Sequence, residues 1–197
     1  MALYTRAGDK GYTVLPSADG GTHLRLRKND ARLAALGTLD ELNAVIGLCA
    51  VEAGRVEHKR ITRALLRIQN ELLRVGSMLA AIATGSAAEV RIEPSAVTRM
   101  EKQVDAIWQR MGPLEHFILP GGCELAGRLH LARTVARRAE RAAIVALDVS
   151  QRTRGAGPHA GVIGRYLNRL SDLLFALARL ANRDAGVQEV IWRPEQE

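Results

Sequence analysis

A chain of 197 residues with 47% hydrophobic content is long enough to bury one sizeable core, and nothing in its composition fits a disordered, collagen-like or membrane protein. Its 28 Lys and Arg against 21 Asp and Glu give a formal charge of +7, and residues 124–183 carry that whole surplus with 11 Arg against 4 acids. Such a concentration calls for an anionic partner: a nucleotide triphosphate, a nucleic acid or a membrane surface. Cys49 and Cys123 show neither metal-ligand nor CxxC spacing, which argues against a disulfide framework and for a reducing compartment. Met1-Ala2-Leu3-Tyr4 runs straight into charged residues, and no apolar run reads as long enough for a membrane span, so a cytoplasmic protein is expected.

Residues 4–32 read as irregular, rich in Gly, Thr and charge, with Asp19-Gly20-Gly21 as a turn. Gly8 and Gly11 would let backbone N–H groups approach a ligand, and Thr5, Lys10 and Thr13 add donors suited to phosphate. Gly-Asp-Lys-Gly is also an ordinary surface turn, and on spacing alone the turn is favoured. The first helix is expected to start at a capping box, Thr38 with Glu41, and to run to about Ala53 with Leu39, Leu42, Val45, Ile46 and Cys49 inward. Asp40 near its start either favours the helix dipole or pairs with an Arg elsewhere. The second helix has the cleanest period, Ile61, Leu65, Ile68, Leu72, Val75 and Leu79, with Arg60, Arg63, Arg67, Glu71 and Arg74 outside that seam. The third opens at Glu93-Pro94 and stops at Gly112-Pro113, and its Met and Trp read as core filler.

Phe117-Ile118-Leu119-Pro120-Gly121-Gly122 then feeds a fourth helix, expected to end near Val149. Residues three and four apart share a helix face, so Arg133, Arg137, Glu140 and Arg141 form one ionic stripe, with Leu125, Leu129, Ala132, Ala136, Ala139 and Ala143 on the packing side. Guanidiniums so close repel one another, Glu140 alone offsets them locally, and an anion is expected opposite. Gln151 to Pro158 reads as a connector. The fifth helix has a wide apolar face from Ile163 to Leu180; Asn168 on it either belongs to a solvated flank or reaches a ligand from between helices. Gly186 ends it, and 187–197 reads as a short extended tail. The predicted fold is all-α: a five-helix antiparallel bundle at 33–186 within a single domain, preceded by an irregular loop region at 1–32.

Five segments, in order, resemble the PduO-type cob(I)alamin adenosyltransferases: Tyr4-Thr5-Arg6-Ala7-Gly8-Asp9-Lys10-Gly11, Gly37-Thr38-Leu39-Asp40-Glu41-Leu42-Asn43, the Phe117–Gly122 loop, Ala132 to Arg141, and Tyr166-Leu167-Asn168-Arg169-Leu170-Ser171-Asp172. The resemblance implies transfer of the 5′-deoxyadenosyl group of ATP to the Co(I) centre of reduced cobalamin, in a homotrimer with ATP and cobalamin between subunits. It implies that Thr5, Arg6, Gly8, Asp9, Lys10, Gly11, Thr13 and Lys28 wrap the triphosphate, joined by Arg137, Arg138, Glu140, Arg141 and Asn168. It further implies an intersubunit salt bridge between Asp40 and Arg133, and a Phe117 that helps displace cobalamin's lower axial ligand. Lys10, Arg137 and a Mg2+ ion of unassigned ligands would stabilise the leaving triphosphate. A cobalamin-dependent client enzyme is a further partner on that reading. Ala7 replaces the family's common Thr or Ser, and Val14–Leu26 lacks its usual Phe-Gly-Gly-Glu-Arg-like run, so an altered ATP affinity is expected.

Two other readings compete. A basic helical nucleic-acid-binding protein would bind with a steep salt dependence, but two Trp, two Phe and three Tyr offer few stacking platforms. A non-catalytic ATP/cobalamin-binding chaperone or regulator would keep the site without turnover.

Overall fold

A computed structural model of the chain describes Tyr4, Arg6 and residues 8–17, 23–88, 90–154 and 160–193. Five α-helices form the body: α1 (Ala31–Arg55), α2 (Lys59–Thr84), α3 (Pro94–Met111), α4 (Glu124–Arg154) and α5 (Ala160–Asp184). Cross-helix contacts set their directions. Glu101–Arg169 and Arg110–Arg183 run in step, whereas Glu71–Tyr166 with His58–Asp184, Glu140–Asn168 with Cys123–Asn182, and Glu41–Arg138 with Cys49 near Arg128 run in opposition. Hence α1, α3 and α5 point one way and α2 and α4 the other. Their inward stripes make one core, with Leu42, Ile46, Ile61, Leu65, Ile163 and Leu167 fully buried. The alanines of α4 are buried as their spacing predicts, which lets α1 and α5 pack close on either side.

Four features differ from expectation. Residues 4–32 are not wholly irregular: β1 (Tyr12–Leu15) and β2 (Leu24–Arg27) pair antiparallel, with Tyr12 opposite Arg27 and Thr13 opposite Leu26. Cross-strand contacts supply the reason, since Arg25 lies over the Tyr12 ring at 4.4 Å and Arg27 Nε donates to its hydroxyl at 3.2 Å. The first helix begins at Ala31, two turns before Thr38, because the Asp30 carboxylate accepts the Arg32 N–H at 2.9 Å and caps the N-terminus. Thr38 is no cap; its hydroxyl donates to the Ala34 carbonyl at 2.7 Å within the helix. At the same end of the bundle α4 runs past Val149 to Arg154 and takes in part of the expected connector. Finally, α1 is long and apolar enough to cross a membrane by length and composition, contrary to the reading of the sequence. Here its apolar side packs on α2 and α4.

Candidate active site

The α4 stripe is built from helix geometry. Arg137 and Arg141 are exposed, one turn apart, and Arg141 Nη1 donates to the Arg137 carbonyl at 3.2 Å. Arg138 lies off the stripe, toward α1, where Glu41 meets it at 2.5 Å, a partner that no local sequence pattern points to. Glu140 is half-buried and accepts from Asn168 Nδ2 at 3.1 Å, so α4 and α5 are joined at the stripe. Asn168 Oδ1 in turn accepts from Arg169 at 2.9 Å, and Arg169 is held by Glu101 of α3 at 2.9 Å. That carboxylate pushes the Arg169 pKa up, so the chain of contacts stays charged. Asn168 is thus a bridge between helices, fixed at both ends of its amide, rather than a solvated flank.

Arg133 departs from the other arginines. Its guanidinium sits 5.9 Å from the centroid of the Phe175 ring, and its Nε is buried with no hydrogen-bond partner among the described residues. His130, one turn earlier, is buried against the same ring with neither nitrogen partnered; burial and then the Arg133 charge push its pKa down. Asp40 is exposed and forms no ion pair among the described residues. The Asp40–Arg133 pair is therefore not made within the described part of one chain. Asn43, one turn after Asp40, has a buried Oδ1 likewise without a partner.

The N-terminal loop closes on its own hairpin. Gly11, at φ +76°, accepts the Lys28 N–H at 2.9 Å, and a Cβ on Gly8 would lie 3.0 Å from Lys28 Nζ. Gly8, Gly11 and Lys28 are thereby brought together, with Lys10 and Asp9 exposed beside them and Thr13 on β1. Arg6, at φ +58°, lies over the Tyr4 ring. Thr5 and Ala7 lie outside the described residues. Neither strand packs extensively on a helix.

The Phe117 loop is held from two sides. Asn182 of α5 accepts the Cys123 N–H at 2.9 Å and donates to the Gly121 carbonyl at 3.0 Å. The tail adds a bridge from Ile191 to Ile118, with Leu119 N–H donating to Val190 O and Trp192 N–H to Phe117 O, each at 2.8 Å. Phe117 is 79% exposed and meets Trp192 edge-on at 6.3 Å. The sequence reading missed Trp192 and Asn182. A Trp that closes the apolar run Val190-Ile191-Trp192, and an Asn on an otherwise apolar helix face, are the signals that point to them.

The local chemistry is then an arginine face with a fixed amide and carboxylate, a glycine loop that carries Lys10 with Lys28 beside it, and an exposed aromatic pair. Among the described residues no group of three His, Cys, Asp or Glu could hold a metal ion.

The profile of the cobalamin adenosyltransferase family matches residues 3–181. The chain is 42% identical to the corrinoid adenosyltransferase PduO of Salmonella typhimurium over 97% of its own length and 53% of that protein, so it spans about half of that relative. It is 41% identical to the corrinoid adenosyltransferase of Bacillus subtilis, covering 96% of this chain and 91% of that one. A variant PduO-type ATP:corrinoid adenosyltransferase from Lactobacillus reuteri, solved with cobalamin and ATP, superposes with a TM-score of 0.79 at 34% identity, over 98% of this chain and all of the other. Over residues 3–181, and so through nearly all of its length, the chain belongs to the cobalamin adenosyltransferase family.

Proposed function

We propose that this chain transfers the 5′-deoxyadenosyl group of ATP to the Co(I) centre of reduced cobalamin, giving adenosylcobalamin and triphosphate. The observation that carries this reading is the exposed Arg137–Arg141 pair beside a Glu140 carboxylate fixed by Asn168. In the reaction a Co–C bond forms at C5′ of the ribose while the C–O bond to the triphosphate breaks, and the electron pair leaves with that oxygen. No protein base or covalent nucleophile is needed. The protein's part is to hold the reactants in line and to meet the charge that grows on the leaving group. Arg137, Arg138, Arg141, Lys10 and Lys28 supply cations for it, and the backbone around Arg6, Gly8, Asp9 and Gly11, with Thr5 and Thr13, supplies donors. A Mg2+ ion would enter with the ATP phosphates, in keeping with the few protein ligands such ions take. Phe117, with Trp192 against it, presents an apolar edge that would keep the lower axial position of cobalamin dry.

The site is best completed between subunits of a trimer. The glycine loop hydrogen-bonds to its own hairpin, and among the described residues the buried Arg133 Nε lacks an acceptor and Asp40 stands exposed without an ion-pair partner. A neighbouring copy would supply both partners at once.

The test is to mix the protein anaerobically with ATP, Mg2+ and cob(II)alamin under reduction, and to follow the light-sensitive alkylcobalamin spectrum and free triphosphate. Arg137→Ala should lower kcat/KM by about 10²–10³-fold, the range for removing one donor to a developing anion, with the helical spectrum unchanged. Binding of ATP and cobalamin without product would leave a chaperone or regulator instead, and unchanged kinetics in Arg137→Ala would remove its phosphate role.

A further inference from the structure

A second basic face lies away from the α4 arginines, on α2 and α3, where α3 packs chiefly on α5. On α2 the residues Arg60, Arg67 and Arg74 recur at seven-residue spacing, which keeps them on nearly one line, about 10.5 Å apart at the helical rise. Leu66 and Leu73, each one residue ahead of an arginine, are 49% and 64% exposed. With Arg63 and Asn70 they complete a three-four-three spacing that faces outward, while Ile61, Leu65, Ile68, Leu72 and Val75 already make the inward seam. Leu66 and Leu73 therefore stand as an exposed apolar pair beside the arginine line.

Across from that line, α3 adds Arg99 and Lys102, and the loop before it adds Arg91. Two adjoining recesses run between the helices: one of about 480 Å³ with Arg60, Thr98 and Lys102 on its walls, and one of about 260 Å³ with Arg67, Arg74 and Arg91. Arg99 and Ser95 border both. Arg99 is spent on the buried Glu71, whose second oxygen accepts from Tyr166 at 3.0 Å. Among the described residues Arg60, Arg67, Arg74, Arg91 and Lys102 form no ion pair, and Glu93 is the one other acid on the recess walls.

We propose that this face docks an acidic amphipathic helix of a partner protein, its apolar residues against Leu66, Asn70 and Leu73 and its carboxylates, at seven-residue spacing, against Arg60, Arg67 and Arg74. The leucines decide between partners, because a phosphodiester backbone would satisfy the arginines and leave the apolar seam in water. A second copy of the chain is a poor occupant: the same face would set arginine against arginine, and no helix here carries acids seven residues apart. The inference stands on α2 and α3 and does not depend on the reaction proposed for the α4 face.

The probe is a fluorescent three-heptad peptide with Leu at the a and d positions and Glu at e and g, whose like-charged flanks disfavour self-pairing. Anisotropy with the full chain should show saturable binding, weakened about tenfold or more by Arg67→Glu with Arg74→Glu, and severalfold by Leu66→Ala with Leu73→Ala. Adenosyl transfer and thermal unfolding of both variants should match the parent chain, which separates lost docking from lost folding. A scrambled peptide of the same composition should bind more weakly. The proposal is overturned if the scrambled peptide, or a single-stranded oligonucleotide of equal charge, binds as tightly as the ordered peptide, or if neither double variant changes the affinity.

Discussion

Two glycine-bearing loops carry the candidate chemistry, and they are anchored in opposite ways. The Phe117–Gly122 loop is tied to the bundle: Asn182 takes both a donor and an acceptor from it, and the tail runs alongside to Trp192. The loop from Arg6 to Gly11 is tied to its own hairpin, through Gly11 to Lys28, and the hairpin packs on no helix extensively. A pre-formed loop suits a group such as Phe117, whose task is to occupy a fixed place. A loop closed on itself suits a part that meets its ligand, or another subunit, from outside.

The sharpest way to break this contrast is Gly122→Ala. Gly122 sits at φ +108°, and a Cβ there would lie 2.0 Å from Asn182 Oδ1. Backbone strain and displaced hydrogen bonds together should cost roughly 3–5 kcal/mol, read as a lower midpoint in urea at constant m. Asn182→Ala removes the clashing partner and leaves the Cys123 N–H and Gly121 carbonyl unpaired, at roughly 2–3 kcal/mol. In the double variant much of the Gly122→Ala penalty should vanish, because the two residues contest the same space. Strict additivity would mean that the strain lies in the backbone alone. In all three proteins ATP binding should survive while cobalamin activation falls, since the loop that moves carries Phe117.

The anchor of the other loop is weaker and titratable. Asp30 caps α1, accepts from the Arg32 side chain at 2.9 and 2.8 Å, and follows Lys28 and Asn29 at the exit of the hairpin. Its hydrogen bonds to Arg32 hold its carboxyl below the ordinary value of 3.8, against the opposing pull of burial. A lowered folded-state pKa means stability that is present in full above the unfolded value and is lost as pH falls through the folded one. Asp30→Asn keeps a capping oxygen and removes the charge. It should cost about 1 kcal/mol at neutral pH, and the gap to the parent protein should close as pH drops below about 4. A gap that persisted into acid would point to the cap geometry instead of the charge.

These anchors also mark what the sequence could disclose. The apolar periods of α2, α4 and α5, the Pro94 start and the Gly112 stop follow from helix geometry and local sterics, so they are legible residue by residue. Helix α1 was misjudged because Thr38 and Glu41 have the form of a capping box, whereas a stronger cap, Asp30 with Arg32, lies upstream. The hairpin was missed because its strands span four residues each and are held by Arg–Tyr contacts across the turn. At the site, the Arg stripe and Asn168 were visible as spacing. The Glu41–Arg138 and Asn182–Gly121 contacts join residues far apart in sequence, and no local pattern encodes them.

Gly8→Ala has the smallest expected effect and separates the two loops most cleanly. The new methyl would lie 3.0 Å from Lys28 Nζ and 3.3 Å from Cε, the far end of a flexible chain, and 3.6 Å from the Tyr12 carbonyl. Lys28 can swing away, so stability should change by less than about 0.5 kcal/mol, unlike Gly122→Ala, where the obstacle is a buried amide with both ends engaged. The ammonium would nonetheless leave the place beside the glycine loop where phosphate is proposed to bind. KM for ATP should then rise severalfold with kcat little altered, the pattern of a lost contact made equally in ground and transition states. A fall in kcat at unchanged KM would mean that Lys28 acts on the leaving triphosphate itself. Kinetics identical to the parent would take Lys28 out of the ATP site and leave Lys10 as its lysine.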